Sequence, residues 1–174
     1  MSSRHGTGDL NGISFSSNYI KPIKKNLSYL ITIGGSTHQG KNELIYNLNG
    51  KDIDGSILYT TSGIQLGFGL DYNLIKIKKH KFNVRLIPFI RYQSTSIPDV
   101  STILYPPITE LPLPVIYFEQ FRPSETIAAG LESNLIYNLT LFNTVSLNLI
   151  ASFQFDTNGD TLRGLGIGLV KTFN

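Results

Sequence analysis

From Ile64 to Asn73 the chain alternates one for one: Ile64, Leu66, Phe68, Leu70 and Tyr72 are apolar or aromatic, and Gln65, Gly67, Gly69, Asp71 and Asn73 lie between them. A period of two belongs to a β-strand, because successive side chains of an extended backbone point to opposite faces. After a basic turn from Lys76 to Lys81 the pattern resumes, with Phe82, Val84, Leu86, Pro88, Ile90 and Tyr92 set against Asn83, Arg85, Ile87, Phe89, Arg91 and Gln93. The same rhythm predicts strands from Asp9 to Ile20, Leu27 to Gly34, Thr126 to Asn138, Thr144 to Asp156 and Leu162 to Phe173, with Asn158-Gly159 as a hairpin turn. Gly34 to Gly55 reads as a long polar loop with some extended structure around Leu44 to Leu48. Thr95 to Pro123 also reads as a long loop, because its six prolines cannot donate to a ladder. Seven strands are thus legible in one all-β domain spanning 1–174, as an antiparallel meander closed into a barrel or folded as a sandwich.

Composition narrows the function classes. With 41% hydrophobic residues and a mean hydropathy of +0.01, no apolar run reaches helix-spanning length. The absence of cysteine excludes disulfides, thiolate zinc sites and thiol catalysis. Fifteen basic and twelve acidic residues give a net charge of +3, too slight and too scattered for a nucleic-acid partner. Met1 to Asp9 is polar, so no signal peptide is readable there. No metal-ligand spacing, phosphate loop or nucleotide motif occurs, and no cofactor is expected.

Three features indicate that the apolar faces meet lipid. Tyr19, Tyr29, Tyr72, Phe82, Tyr137 and Phe173 share the apolar parity and sit near short turns or the chain end, as an interfacial aromatic girdle requires. The polar parity is mostly Gly, Ser, Asn, Gln and Thr, which suits a tight lumen better than a solvated outer face. Lysines crowd the short turns, whereas the long loops carry most of the acids. The predicted fold is therefore an up-and-down transmembrane β-barrel.

The stretches from Gly8 to Phe15, from Asp54 to Leu66 and from Leu162 to Phe173, together with the hairpin rhythm, resemble the small bacterial outer-membrane β-barrel proteins of the eight-stranded OmpA/OmpX class. That resemblance implies residence in the bacterial outer membrane, an even strand number, periplasmic termini and a last-strand aromatic read by the barrel-insertion machinery. Phe173 with Gly168 resembles that signal, although Lys171 stands where an apolar residue is usual and Asn174 follows. An even count leaves the first readable strand without a partner. The expectation is that an upstream strand and signal peptide are absent from this chain, the alternative being an eighth strand from Glu43 to Asn49.

Parity directs Asp71, Arg85, Arg91, Glu132 and Asp156 into the lumen, where an ion-pair network is the expected filling and leaves no open pore. Some barrels of this kind modify the acyl chains of lipid A with Ser and His near the outer rim. Ser36 and His38 share one parity there, but no acid is placed to orient that histidine; His5 and His80 are the other two histidines. The loop from Thr95 to Pro123 is more apolar than a solvated loop needs, so it is a candidate surface for a protein or glycan, or for lipopolysaccharide. Expected partners are membrane lipid and one of these surface ligands, in a structural or surface-interaction role without catalysis. The alternatives are a soluble lipocalin-like barrel holding an apolar ligand, and the lipid A acyl-modifying enzyme.

Overall fold

A computed structural model describes residues 2–6, 9–97, 101–119, 122–142 and 144–173. Its elements in chain order are β1 (Ser2–Gly6), β2 (Asp9–Lys24), β3 (Leu27–Asn42), β4 (Ile45–Leu48), β5 (Lys51–Asp54), β6 (Ile57–Ile77), β7 (His80–Thr95), β8 (Ser101–Leu104), the single-turn helix α1 (Pro106–Thr109), β9 (Val115–Phe118), β10 (Ser124–Phe142), β11 (Val145–Asp156) and β12 (Thr161–Lys171). Eight strands form a closed antiparallel barrel in the order β1-β12-β11-β10-β7-β6-β3-β2. The pairs β4-β5 and β8-β9 are separate two-stranded hairpins, both in the long connections at one rim. Short turns close the other rim.

Two expectations need correction. The eighth wall strand is not missing upstream: β1 closes the barrel, pairing Ser2 with Gly166 and Gly6 with Leu162 on one side and Ser2 with Ser14 on the other. Its Ser-Ser-Arg-His-Gly sequence carries no alternation, so the ladders of β2 and β12 dictate its extended shape. Nor does the second predicted strand end at Gly34, since β3 continues to Asn42 along β6, with Ser36 opposite Gly63 and Gly40 opposite Tyr59. This upper part of the wall rises past the apolar belt, where neither face needs grease. The segment from Glu43 to Asn49 contributes only β4, which pairs with β5 and lies outside the wall.

The barrel has the polarity of a soluble protein turned inside out. Leu66, Ile90 and Leu169 are 60%, 63% and 75% exposed on the outer face, while Gln65, Asn148 and Arg91 are 8%, 3% and 1% exposed inside. An outer face made of Leu, Ile and Phe raises the free energy in water by roughly 25 cal/mol for every Å² left wet, and the same face is at home in hydrocarbon.

Close packing inside depends on residues without side chains. Gly67 and Gly69 face the lumen of β6 beneath Ile87; a Cβ on Gly67 would lie 2.6 Å from Ile87 Cγ2, and one on Gly69 would collide with the Leu86 carbonyl. Neither obstacle is a flexible chain end. Gly69→Ala should therefore lower the stability of the refolded barrel by about 1–3 kcal/mol through overpacking, read from its urea midpoint in lipid vesicles. Gly168→Ala, whose Cβ would find only ordinary contacts at 3.7 Å, should leave that midpoint in place.

Candidate functional site

The lumen is stratified from the long-loop rim downward. At the top is an open mouth of ≈ 540 Å³, lined by His38, Tyr59, Gln93, Thr95, Asn158 and Asp160 among others. Its floor is a layer of long polar side chains. Arg91 is fully buried at the upper end of β7 and donates from Nη2 to Asp156 at the end of β11, and again to Asp160 at 3.1 Å. Gln65 Nε2 donates to Glu132 Oε2 at 3.0 Å, Asn134 Nδ2 to Glu132 Oε1 at 3.1 Å, and Gln154 Nε2 to Gln65 Oε1 at 3.4 Å. Four walls, β6, β7, β10 and β11, are cross-linked at this height.

Below the floor lies a cavity of only ≈ 40 Å³ among Ser14, Ser16, Thr32, Glu132 and Asn134, room for a few ordered waters. Farther down, Asp71 is buried against Arg85, whose Nε donates to Oδ2, and Asn83 Nδ2 donates to Oδ1 at 2.5 Å. Asp71 and Arg85 are direct register partners across the β6-β7 hairpin. All five residues predicted for the lumen line face inward, in two clusters: Asp71 with Arg85 near the short turns, and Arg91 with Asp156 near the mouth, Glu132 sitting in the amide layer between.

Sequence reasoning missed Gln65, Gln154, Asn134 and Asp160. Three of them are amides on the polar parity of strands already recognised, and that parity was their available signal. Asp160 belongs to the hairpin turn, where the Asp156 carboxylate accepts from the backbone N–H of Asn158 at 2.9 Å and of Asp160 at 3.2 Å. The turn thus presents two carboxylates to one guanidinium. Among the described residues Arg91 Nε and Nη1 and Gln93 Oε1 are buried without a hydrogen-bond partner, and the Phe89 ring, 6.0 Å from Arg91 Cζ, gives partial electrostatic compensation.

The aromatics singled out in the sequence stand on the outer face toward the short turns. Tyr137 and Phe82 are cross-strand partners with ring centroids 5.0 Å apart, and Tyr137 Oη lies 2.6 Å from His80 Nδ1. Tyr29 stacks on Phe68 at 6.0 Å, Tyr19 and Tyr72 are exposed, and Phe173, just past β12, lies under the Lys171 ammonium at 5.3 Å.

Above the mouth the two hairpins touch through Tyr46 Oη, which donates to the Pro112 carbonyl at 2.7 Å. The β4-β5 hairpin is anchored where Asp54 accepts from Lys41 Nζ and from the Ser56 N–H, both at 2.9 Å. Hydrogen bonding from Ser56, and then from Lys41, holds the Asp54 carboxyl well below the usual carboxylate range. On the β8-α1-β9 excursion Ile103, Tyr105, Ile108, Leu111, Leu113 and Tyr117 are exposed. Pro98 and Asp99 lie outside the described residues.

Ser36 and His38 stand two apart on the inner face of β3 at the mouth, without a hydrogen bond between them among the described residues. The side chain of His5 lies outside the described residues. Among the described residues no group of three or more His, Cys, Asp or Glu is placed to hold a metal ion.

No protein-family model and no curated protein matches this chain. Among solved structures the chain is similar to the crystal structure of Ail, the attachment invasion locus protein of Yersinia pestis, at 10% sequence identity and a TM-score of 0.39, over 99% of this chain and 97% of that one.

Proposed function

We propose that this chain is a bacterial outer-membrane β-barrel of the eight-stranded OmpA/OmpX-like class, with a non-catalytic role in membrane structure or surface interaction. The observation that carries the reading is the outward apolar belt around a polar, cross-linked interior, because only hydrocarbon removes the penalty of so much exposed Leu, Ile and Phe. The lysine-rich short turns then face the periplasm and the two outer hairpins face the cell exterior. The floor formed by Arg91, Gln65, Gln154 and Glu132 separates the mouth from the lower cavity and supports a closed lumen. A lipocalin-like binder would need an apolar interior of ligand size, and the lower cavity here is mostly polar and small. The exposed apolar residues on the β8-α1-β9 excursion make it the favoured contact surface for a protein or glycan.

Detergent dependence tests the membrane reading. The chain refolded in detergent micelles should migrate faster on a cold gel before boiling than after, and should precipitate when detergent is removed in the absence of lipid. A monodisperse folded monomer in plain buffer would refute it. The catalytic alternative has its own test: lipid A incubated with the refolded barrel should keep its mass.

A further inference from the structure

The outer face carries a groove that the barrel itself does not need. It is centred on Ala151 of β11, whose small side chain sits between Leu135 of β10 and Leu165 of β12. Leu149 and Ile167 continue its apolar walls, and the Phe82 and Tyr137 rings stand at its foot. The open groove holds ≈ 530 Å³, and its surface is almost entirely apolar.

The foot of the groove opens onto the β6-β7 turn. The Thr140 N–H donates to the Lys79 carbonyl at 2.8 Å, fixing the turn against the end of β10, and His80 lies parallel to the Tyr137 ring with centroids 5.9 Å apart. This turn carries Lys76, Lys78, Lys79 and Lys81, and Lys76 pairs directly across from Lys81. Like charges facing each other on a hairpin destabilise it. No carboxylate among the described residues pairs with any of the four lysines.

The geometry points to a seated anionic glycerophospholipid: one acyl chain lies in the groove over Ala151, and the headgroup phosphate rests on Lys78 and Lys79 at the tip of the β6-β7 turn, within reach of the His80-Tyr137 pair, while Lys76 and Lys81, on the lumen-side parity of Asn83 and Asn138, add their charge to the rim. The inference rests on the membrane reading, in which this rim meets the periplasmic leaflet. Charge complementarity and the continuity of the groove with the hydrocarbon-facing belt select the occupant. Lipid A is anionic as well, but it belongs to the leaflet at the opposite rim.

The full chain refolded into phosphatidylcholine vesicles, with spin-labelled lipids as probes, tests the assignment at physiological salt. Labelled phosphatidylglycerol should associate about three- to ten-fold more strongly than labelled phosphatidylcholine, in keeping with the pull of a few lysines at a membrane surface. Replacing Lys76, Lys78, Lys79 and Lys81 together by Gln should abolish that preference. Ala151→Phe, which fills the groove from the lipid side, should reduce it at least about two-fold, whereas Lys24→Gln with Lys25→Gln, on another turn of the same rim, should leave it in place. A folded, inserted protein without preference would overturn the assignment. So would an Ala151→Phe protein that keeps the full preference, since the rim charge would then act alone. A chain that never enters vesicles would refute the membrane reading itself, and gel mobility before boiling distinguishes that outcome from a selective loss of lipid preference.

Discussion

Replacing Arg91 by Leu should destabilise the refolded barrel by about 3–5 kcal/mol, the range for leaving one partner of a buried ion pair uncompensated. The Asp156 side chain that faces Arg91 is fully buried, so the stranded carboxylate has no water to turn to. Asp160, whose side chain is 37% exposed at the mouth, can recover hydration and adds little to the loss. Removing the charge from both ends separates this account from simple packing. Arg91→Leu combined with Asp156→Asn should regain most of the stability, because the uncompensated carboxylate is then gone. The urea midpoint of each variant in lipid vesicles decides the matter: equal losses in the single and double variants would show that the bulk of Arg91, not its charge, supports the floor.

Leu66→Arg should cost about 2–4 kcal/mol in a bilayer, the penalty for a cation on the lipid face of a barrel near the midplane. Leu66 faces outward between Ile33 of β3 and Ile90 of β7, in the middle of the apolar belt. The same substitution on the wet surface of a soluble sheet would change stability by no more than about 0.5 kcal/mol. Thr60→Arg, on the same face of β6 but near the mouth, should cost no more than about 1 kcal/mol, as expected close to an interface. The comparison uses depth as its ruler: a bilayer makes the two positions unequal, and water makes them alike.

How much was legible followed from how strongly a segment's two faces differ. In β6, β7, β10 and β11 the alternation of apolar and polar residues is nearly unbroken, and those strands read straight from the chain. The pairing of Asp71 with Arg85 follows from counting back across one short turn. The partner of Arg91 does not follow, since Asp156 lies 65 residues away and reaches it only because β10 stands between β7 and β11 in the closed wall. The amide cross-links among Gln65, Glu132 and Gln154 are invisible to periodicity for the same reason. Within the loop from Thr95 to Pro123 the prolines argued against strands, yet β8 and β9 form there, and Pro106 and Pro107 are taken up by the single-turn helix α1 between them.

By itself the sequence determined the strand class of the central wall, the meander of hairpins and the polarity of each face, because a period of two is written wherever one face meets grease and the other meets polar groups. Only the tertiary structure decided that β1 completes the wall, that β3 rises to Asn42 and that Arg91 gathers two carboxylates from a distant turn. In those places the extended backbone is held by its neighbours' hydrogen bonds and by charges brought together on closure, and neither leaves a periodic trace in the order of residues.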